Sequence, residues 1–217
     1  MTQSIVVGRK RYHHYSQLVP ANGSPSPLAA ISEKRQSFFP KKRKMPLRNT
    51  VGAYVTLGGS DLLLVIDKDT VAPGSGEWKL IAATAAQLEA CYPSLSDQAK
   101  KALRFLRAIV FSAKPLRSYA EVRDDIFFYD TDEFRRRDGS FVSPSWAASC
   151  VVHDANHIWQ HDNRKPWHGV DGEVPCWQLQ IDNGAALGLT AIDVDHLRSF
   201  IADPEKIIAR ARSKTHQ

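Results

Sequence analysis

The segment His153-Asp154-Ala155-Asn156-His157 constrains this chain more than any other stretch of it. Side chains four residues apart share a face only on a helix, where both imidazoles can turn a nitrogen toward one cation. An acid directly after the first histidine stands where it can polarise a water held by that cation. The surrounding composition is biased the same way, because five of the eight histidines fall between positions 153 and 196.

At about 100° per residue, His153, His157 and His161 lie within roughly 80° of arc on a helix from Trp146 to Asp162, with Cys150 in the same arc. Val151, Val152, Ala155, Ile158 and Trp159 group on the opposite side. The helix therefore has an apolar stripe for a core and a histidine stripe for chemistry. His153 and His161 are about 12 Å apart along a straight axis, too far for one ion whose bonds to nitrogen are about 2.0–2.1 Å. The expected pair is His153 and His157. A third ligand is expected after the chain reverses. Asn163-Arg164-Lys165-Pro166 breaks the helix, Gly169 and Gly172 allow a tight return, and Asp171-Gly172-Glu173-Val174-Pro175 opens another helix running to about Leu187. Glu173 sits in its first turn, a place the helix dipole alone favours for an acid. His168 and Asp171 are the alternative third ligands.

The rest of the chain reads as support. At 217 residues it fits a single domain, residues 50–217, preceded by a leader, residues 1–49. The leader is turn-rich between Ala21 and Pro27. Residues 1–50 hold ten Lys or Arg against one acid, Glu33, so the net charge of +6 belongs to that end and not to the body. Lys41-Lys42-Arg43-Lys44 suits an anionic partner or a solvated, flexible tail. No apolar run approaches the ~18 residues that span a bilayer, and no signal-peptide core follows the first basic residues. The expected location is cytoplasmic, or outside the cell by a route without a cleaved signal. Three cysteines, Cys91, Cys150 and Cys176, are too few for a disulfide framework and read as buried thiols.

Order is expected from Val51. Val51–Leu57 and Asp61–Asp67 around Gly58-Gly59 read as a hairpin. Glu77–Ala90 reads as a helix, with a short strand possible at Trp78–Ile81. Ser96-Asp97 caps an amphipathic helix carrying Ala99, Leu103, Leu106 and Val110 on one stripe and ending at Lys114-Pro115. Asp125–Tyr129 reads as a strand. The fold class is α+β, mostly helical, with a small sheet.

On these residues the chain resembles a zincin-type zinc metallopeptidase, whose helix motif is His-Glu-x-x-His. In its Glu-zincin branch a glutamate on the next helix completes the site. His153 and His157 match the ligand positions and Asp154 stands at the general-base position. Ile158-Trp159-Gln160 is similar to the continuation in some bacterial members, and Glu173, Cys176, Gln180 and Leu187-Gly188 resemble the second-helix pattern. The likeness covers about residues 97–190 and departs at Asp154, one methylene shorter than the usual glutamate. It implies a Zn2+ cofactor held by His153, His157 and Glu173, a metal-activated water with Asp154 as base, and a peptide or protein substrate lying along an edge strand at Asp125–Tyr129. His161, His168 or Tyr129 would stabilise the oxyanion. Two other readings stand beside this one. The first is a non-catalytic metal-binding structural or interaction domain. The second is a nucleic-acid-binding protein acting through its basic leader. A Cys150–His153 nucleophile pair lacks an orienting third group.

Overall fold

A computed structural model describes residues 4–7, 10–19, 49–113 and 118–213. Among the described residues, seven strands form one mixed sheet: β1 (Ser4–Val7), β2 (Lys10–His14), β3 (Thr50–Leu57), β4 (Ser60–Asp67), β5 (Ala108–Ser112), β6 (Tyr119–Glu121) and β7 (Ile126–Asp130). Their order across the sheet is β1-β2-β3-β4-β5-β7-β6. β4, β5 and β7 run parallel to one another, while β6 pairs antiparallel with β7. The helices are α1 (Gly76–Cys91), α2 (Asp97–Phe105), α3 (Pro144–Asp162), α4 (Val170–Asp182), α5 (Gly184–Leu187), α6 (Ala191–Ala202) and α7 (Pro204–Ser213). The chain is thus α+β, with a larger sheet than the hairpin and single strand legible in the sequence.

The expected hairpin is present as β3 and β4, joined at Gly58-Gly59 with φ of 58° and 87°. Two positive φ angles in a two-residue loop match the right-handed twist of the flanking strands, and glycine adopts them without a Cβ penalty. Serines start α1, α2 and α3. Ser75, Ser96 and Ser143 each accept a hydrogen bond from the backbone N–H three residues on, and Pro144 fills the first turn of α3, where no N–H is needed.

Two elements differ from expectation. The amphipathic helix stops at Phe105, and Ala108–Ser112 is strand β5. Its five residues are buried on both faces between β4 and β7, so this strand has no polar alternation. Trp78–Ile81 is not a strand but part of α1. The Trp78 side chain is fully buried, and its indole donates to the Leu18 carbonyl at 2.6 Å. That bond ties residues 15–19 to the body, and β2 pairs with β3 beside it. Part of the stretch read as leader therefore joins the sheet. Residues 20–48, with Lys41–Lys44, lie outside the described residues.

The main core lies between one sheet face and α1, α2 and α3. Ile109, Phe111, Phe127 and Tyr129 from the strands meet Ala147, Ala148, Val151, Val152, Ala155 and Ile158 from α3. The three alanines let α3 sit close to the sheet, leaving its far side for α4 and the histidines. Among the described residues no helix is long and apolar enough to cross a membrane.

Candidate metal centre

One face of α3 is committed to the core, so His153 and His157 point to the other side, where α4 packs. The connection is short. Asn163 caps α3, Arg164 adopts a φ of 55°, and Gly169 adopts a φ of 67° just before α4 begins. Gly172 then passes against the backbone of Trp167, where a β-carbon would stand 2.4 Å from the Trp167 carbonyl carbon. This tight return delivers Glu173, in the first turn of α4, to the histidine face.

Three atoms converge there. The Nε2 atoms of His153 and His157 are 3.0 Å apart, and Glu173 Oε2 lies 3.2 Å from the first and 3.5 Å from the second. A tetrahedral ion with bonds of about 2.0–2.1 Å sets its ligand atoms about 3.3–3.4 Å apart. The triangle has nearly those edges.

Hydrogen bonds behind the rings decide which nitrogens carry protons. The Gly172 carbonyl can only accept, so the Gln160 amide nitrogen donates to it at 3.1 Å and Gln160 Oε1 faces His157 Nδ1 at 3.2 Å. The Ser149 hydroxyl donates to the Trp146 carbonyl at 2.8 Å and accepts from the Gln180 amide nitrogen at 2.9 Å. Gln180 Oε1 is thereby turned to His153 Nδ1 at 2.9 Å. Both Nδ1 atoms must donate, which leaves both Nε2 lone pairs facing Glu173. Three acceptors around one point, with His157 only 7% exposed, are satisfied by a proton or by a metal cation.

The electrostatics follow from that geometry. Burial disfavours the charged form of both imidazoles, but the neighbouring Cys176 and Glu173 outweigh it and raise both, His157 strongly. Burial pushes the Glu173 carboxyl up. Hydrogen bonds and charge from the two histidines reverse this and hold it well below the usual carboxylate range. Asp154 is pushed up to about 6, by burial first, with Glu173 and Glu133 adding and the histidines opposing.

Cys176 also lies close, and its sulfur together with one ligand atom from each histidine falls within 4.8 Å. It stands on the far side of His157, however, 3.5 Å from Nδ1, and accepts from the Asn156 amide at 3.3 Å. It backs the ring and does not face the Nε2 triangle. Glu173 Oε2, and not the Cys176 sulfur, is the atom that faces both Nε2 atoms.

The remaining sequence candidates separate clearly. Asp154 lines the same cleft of about 500 Å3 as His153, His157 and Glu173, and so does the exposed His168. Asp171 is exposed in the first turn of α4 and is not among the cleft residues. His161 pairs with Asp162 at 3.1 Å and packs edge-on against Trp167, and is not among the cleft residues. Tyr129 is buried in the core, its hydroxyl without a hydrogen-bond partner among the described residues. Cys150 is unpaired, and burial raises its thiol far out of the reactive range.

The expected edge strand at Asp125–Tyr129 needs correction. It is β7, flanked by β5 and β6, and the strand at that end of the sheet is β6. Ser118, Tyr119 and Ala120 line the cleft beside the histidines. Three residues are too short a run to announce a strand in sequence. Also missed were the roles of Gln160, Gln180 and Ser149 as orienting groups; their spacing on the two helices was visible, but their pairing across the interface was not. Comparison with known proteins returns no match to a family model, a curated protein or a solved structure.

Proposed function

We propose that the protein is a zinc-dependent hydrolase, a metallopeptidase of zincin type, with His153, His157 and Glu173 as ligands and Asp154 as general base. The observation that carries this is the triangle of three inward-facing acceptors from α3 and α4, with edges of 3.0, 3.2 and 3.5 Å. The chemistry of the donor set, two neutral imidazoles and one carboxylate, is that of catalytic zinc sites with a fourth position left for water or substrate. A cation there would supply Lewis acidity, polarising the carbonyl to be attacked and making water acidic.

The chain's own residues do the rest. Gln160 and Gln180 hold the imidazoles in the tautomer that presents Nε2. Asp154, in the same cleft, accepts the proton of the attacking water. As the carbon–nitrogen bond breaks, that proton passes to the leaving amine, so peptide and water become one carboxylic acid and one amine. His168, exposed and lining the same cleft, would donate to the developing oxyanion. An extended substrate would lie alongside β6.

Metal analysis combined with a cleavage screen tests the reading. Purified protein should carry about one zinc per chain, and cleavage of peptides should stop with a chelator. Asp154→Ala should keep the metal and lose turnover. A protein that takes up no zinc ends the proposal. The shorter reach of Asp154 favours a second reading, in which the cation only clips α3 to α4. Retained zinc, a melting temperature lowered by chelation and no cleavage across the screen would establish that instead.

A further inference from the structure

The cleft has an apolar side that hydrolysis itself does not require. Trp177 lies one turn beyond Glu173 on α4, its ring 6.4 Å from His153 and 5.4 Å from Phe200. Trp167, in the α3–α4 connection, is 36% exposed at the rim. Ile207 and Ile208 of α7 complete the wall. No α7 residue of described burial is fully buried, and these two isoleucines are half-buried while Glu205 and Lys206 face solvent. This helix is thus held with Ile207 and Ile208 toward the cleft and Glu205 and Lys206 outward.

Metal binding needs no tryptophan at the rim, and a wall of two tryptophans and two isoleucines offers an apolar side chain of a bound peptide a surface to bury against. A cleft of about 500 Å3 accommodates one bulky side chain with its flanking backbone. Its position fixes which part of a substrate it meets, since the wall begins one helical turn from the ligand Glu173.

We infer that Trp167, Trp177, Ile207 and Ile208 form a specificity subsite that selects an extended peptide with a large apolar side chain, of phenylalanine or leucine type, beside the bond to be cut. This rests on the reading of the cleft as a hydrolytic centre. The subsite is built partly by the C-terminal helix, so selectivity depends on residues more than thirty positions beyond Glu173.

The test separates the subsite from the metal. Blocked alanine heptapeptides with a central phenylalanine or a central glycine are titrated by calorimetry into the chelator-treated full chain, and zinc stoichiometry is measured separately. The phenylalanine peptide should bind about tenfold or more tighter than the glycine peptide. Ile208→Asp and Trp167→Ala should each bring that preference down to about threefold or less, with the circular dichroism spectrum and zinc stoichiometry unchanged. Equal binding of the two peptides, no saturable binding of the phenylalanine peptide, or a preference that survives both substitutions overturns the inference. A preference without zinc uptake supports the subsite and removes the metallopeptidase reading. Zinc uptake without a preference does the reverse.

Discussion

Gly172 is the position where one added methyl group should disturb the proposed metal centre most selectively. A β-carbon there would stand 2.4 Å from the Trp167 carbonyl carbon, 2.9 Å from its oxygen and 3.0 Å from its Cα. All three are backbone atoms, so no rotamer change relieves the clash. Ordinary carbon–carbon contact is about 3.5–4.0 Å, and the start of α4 must back away by about 1 Å. Glu173 is the next residue, and the Gly172 carbonyl accepts from Gln160, which orients His157. The same displacement therefore pulls the carboxylate off the triangle and loosens one imidazole. Two effects oppose each other in stability. Alanine in place of a helical glycine gains about 0.5–1 kcal/mol, while overpacking costs about 1–3 kcal/mol. The net expected for Gly172→Ala is a loss of about 0–2 kcal/mol. Metal ligation tolerates only about 0.2 Å, so zinc affinity should fall about 10–100-fold or more. Competition against a chromophoric chelator measures the affinity, and melting curves with and without zinc give the stability. A variant with unchanged zinc affinity and a raised melting temperature would refute the placement of Glu173 by this close approach.

Three further outcomes are expected. His153→Ala and His157→Ala should each lose bound zinc, checked by elemental analysis of the purified variants; full retention in both would remove them as ligands. Gln180→Ala should keep the fold but lower zinc affinity about 10–100-fold, because His153 loses the acceptor that fixes its Nδ1 proton; an unchanged affinity would show that the ring needs no such support. Asp130 is buried at the end of β7, and burial, helped by the charges of Glu133 and Asp132, pushes its carboxyl up to about 6 despite the Asp132 N–H. Its unfolded value is about 3.9, so the native state holds the proton in between and stability falls as pH rises from about 4 to 6. Asp130→Asn should match the natural protein near pH 4 and exceed it above pH 6, by up to about 3 kcal/mol; melting curves that stay parallel across that range would contradict this.

Local chemistry made much of the architecture legible. The hairpin could be read from Gly58-Gly59, whose φ angles only glycine adopts freely, and α3 from Ser143-Pro144 followed by apolar residues at helical spacing. The convergence of His153, His157 and Glu173 was also legible, because it depends on one helical turn and one short return. What sequence could not give lies in pairing between distant segments. β5 carries the period of neither a helix nor a half-exposed strand, since neighbours on both sides bury it. β6 is three residues long and owes its place to β7. The orienting amides of Gln160 and Gln180 act through partners on the facing helix or a backbone carbonyl, and no composition signal marks such a bond in advance.

The proposed ligands and their orienting groups together span only the stretch from Ser149 to Gln180, 31 positions apart. The two helices are joined by the short connection from Asp162 to Val170, so their contact needs none of the strand pairings of the sheet. A cation could therefore staple the two helices together while the strands are still unpaired. Zinc present during refolding should accordingly raise the folding rate itself, and not merely slow unfolding of the finished protein.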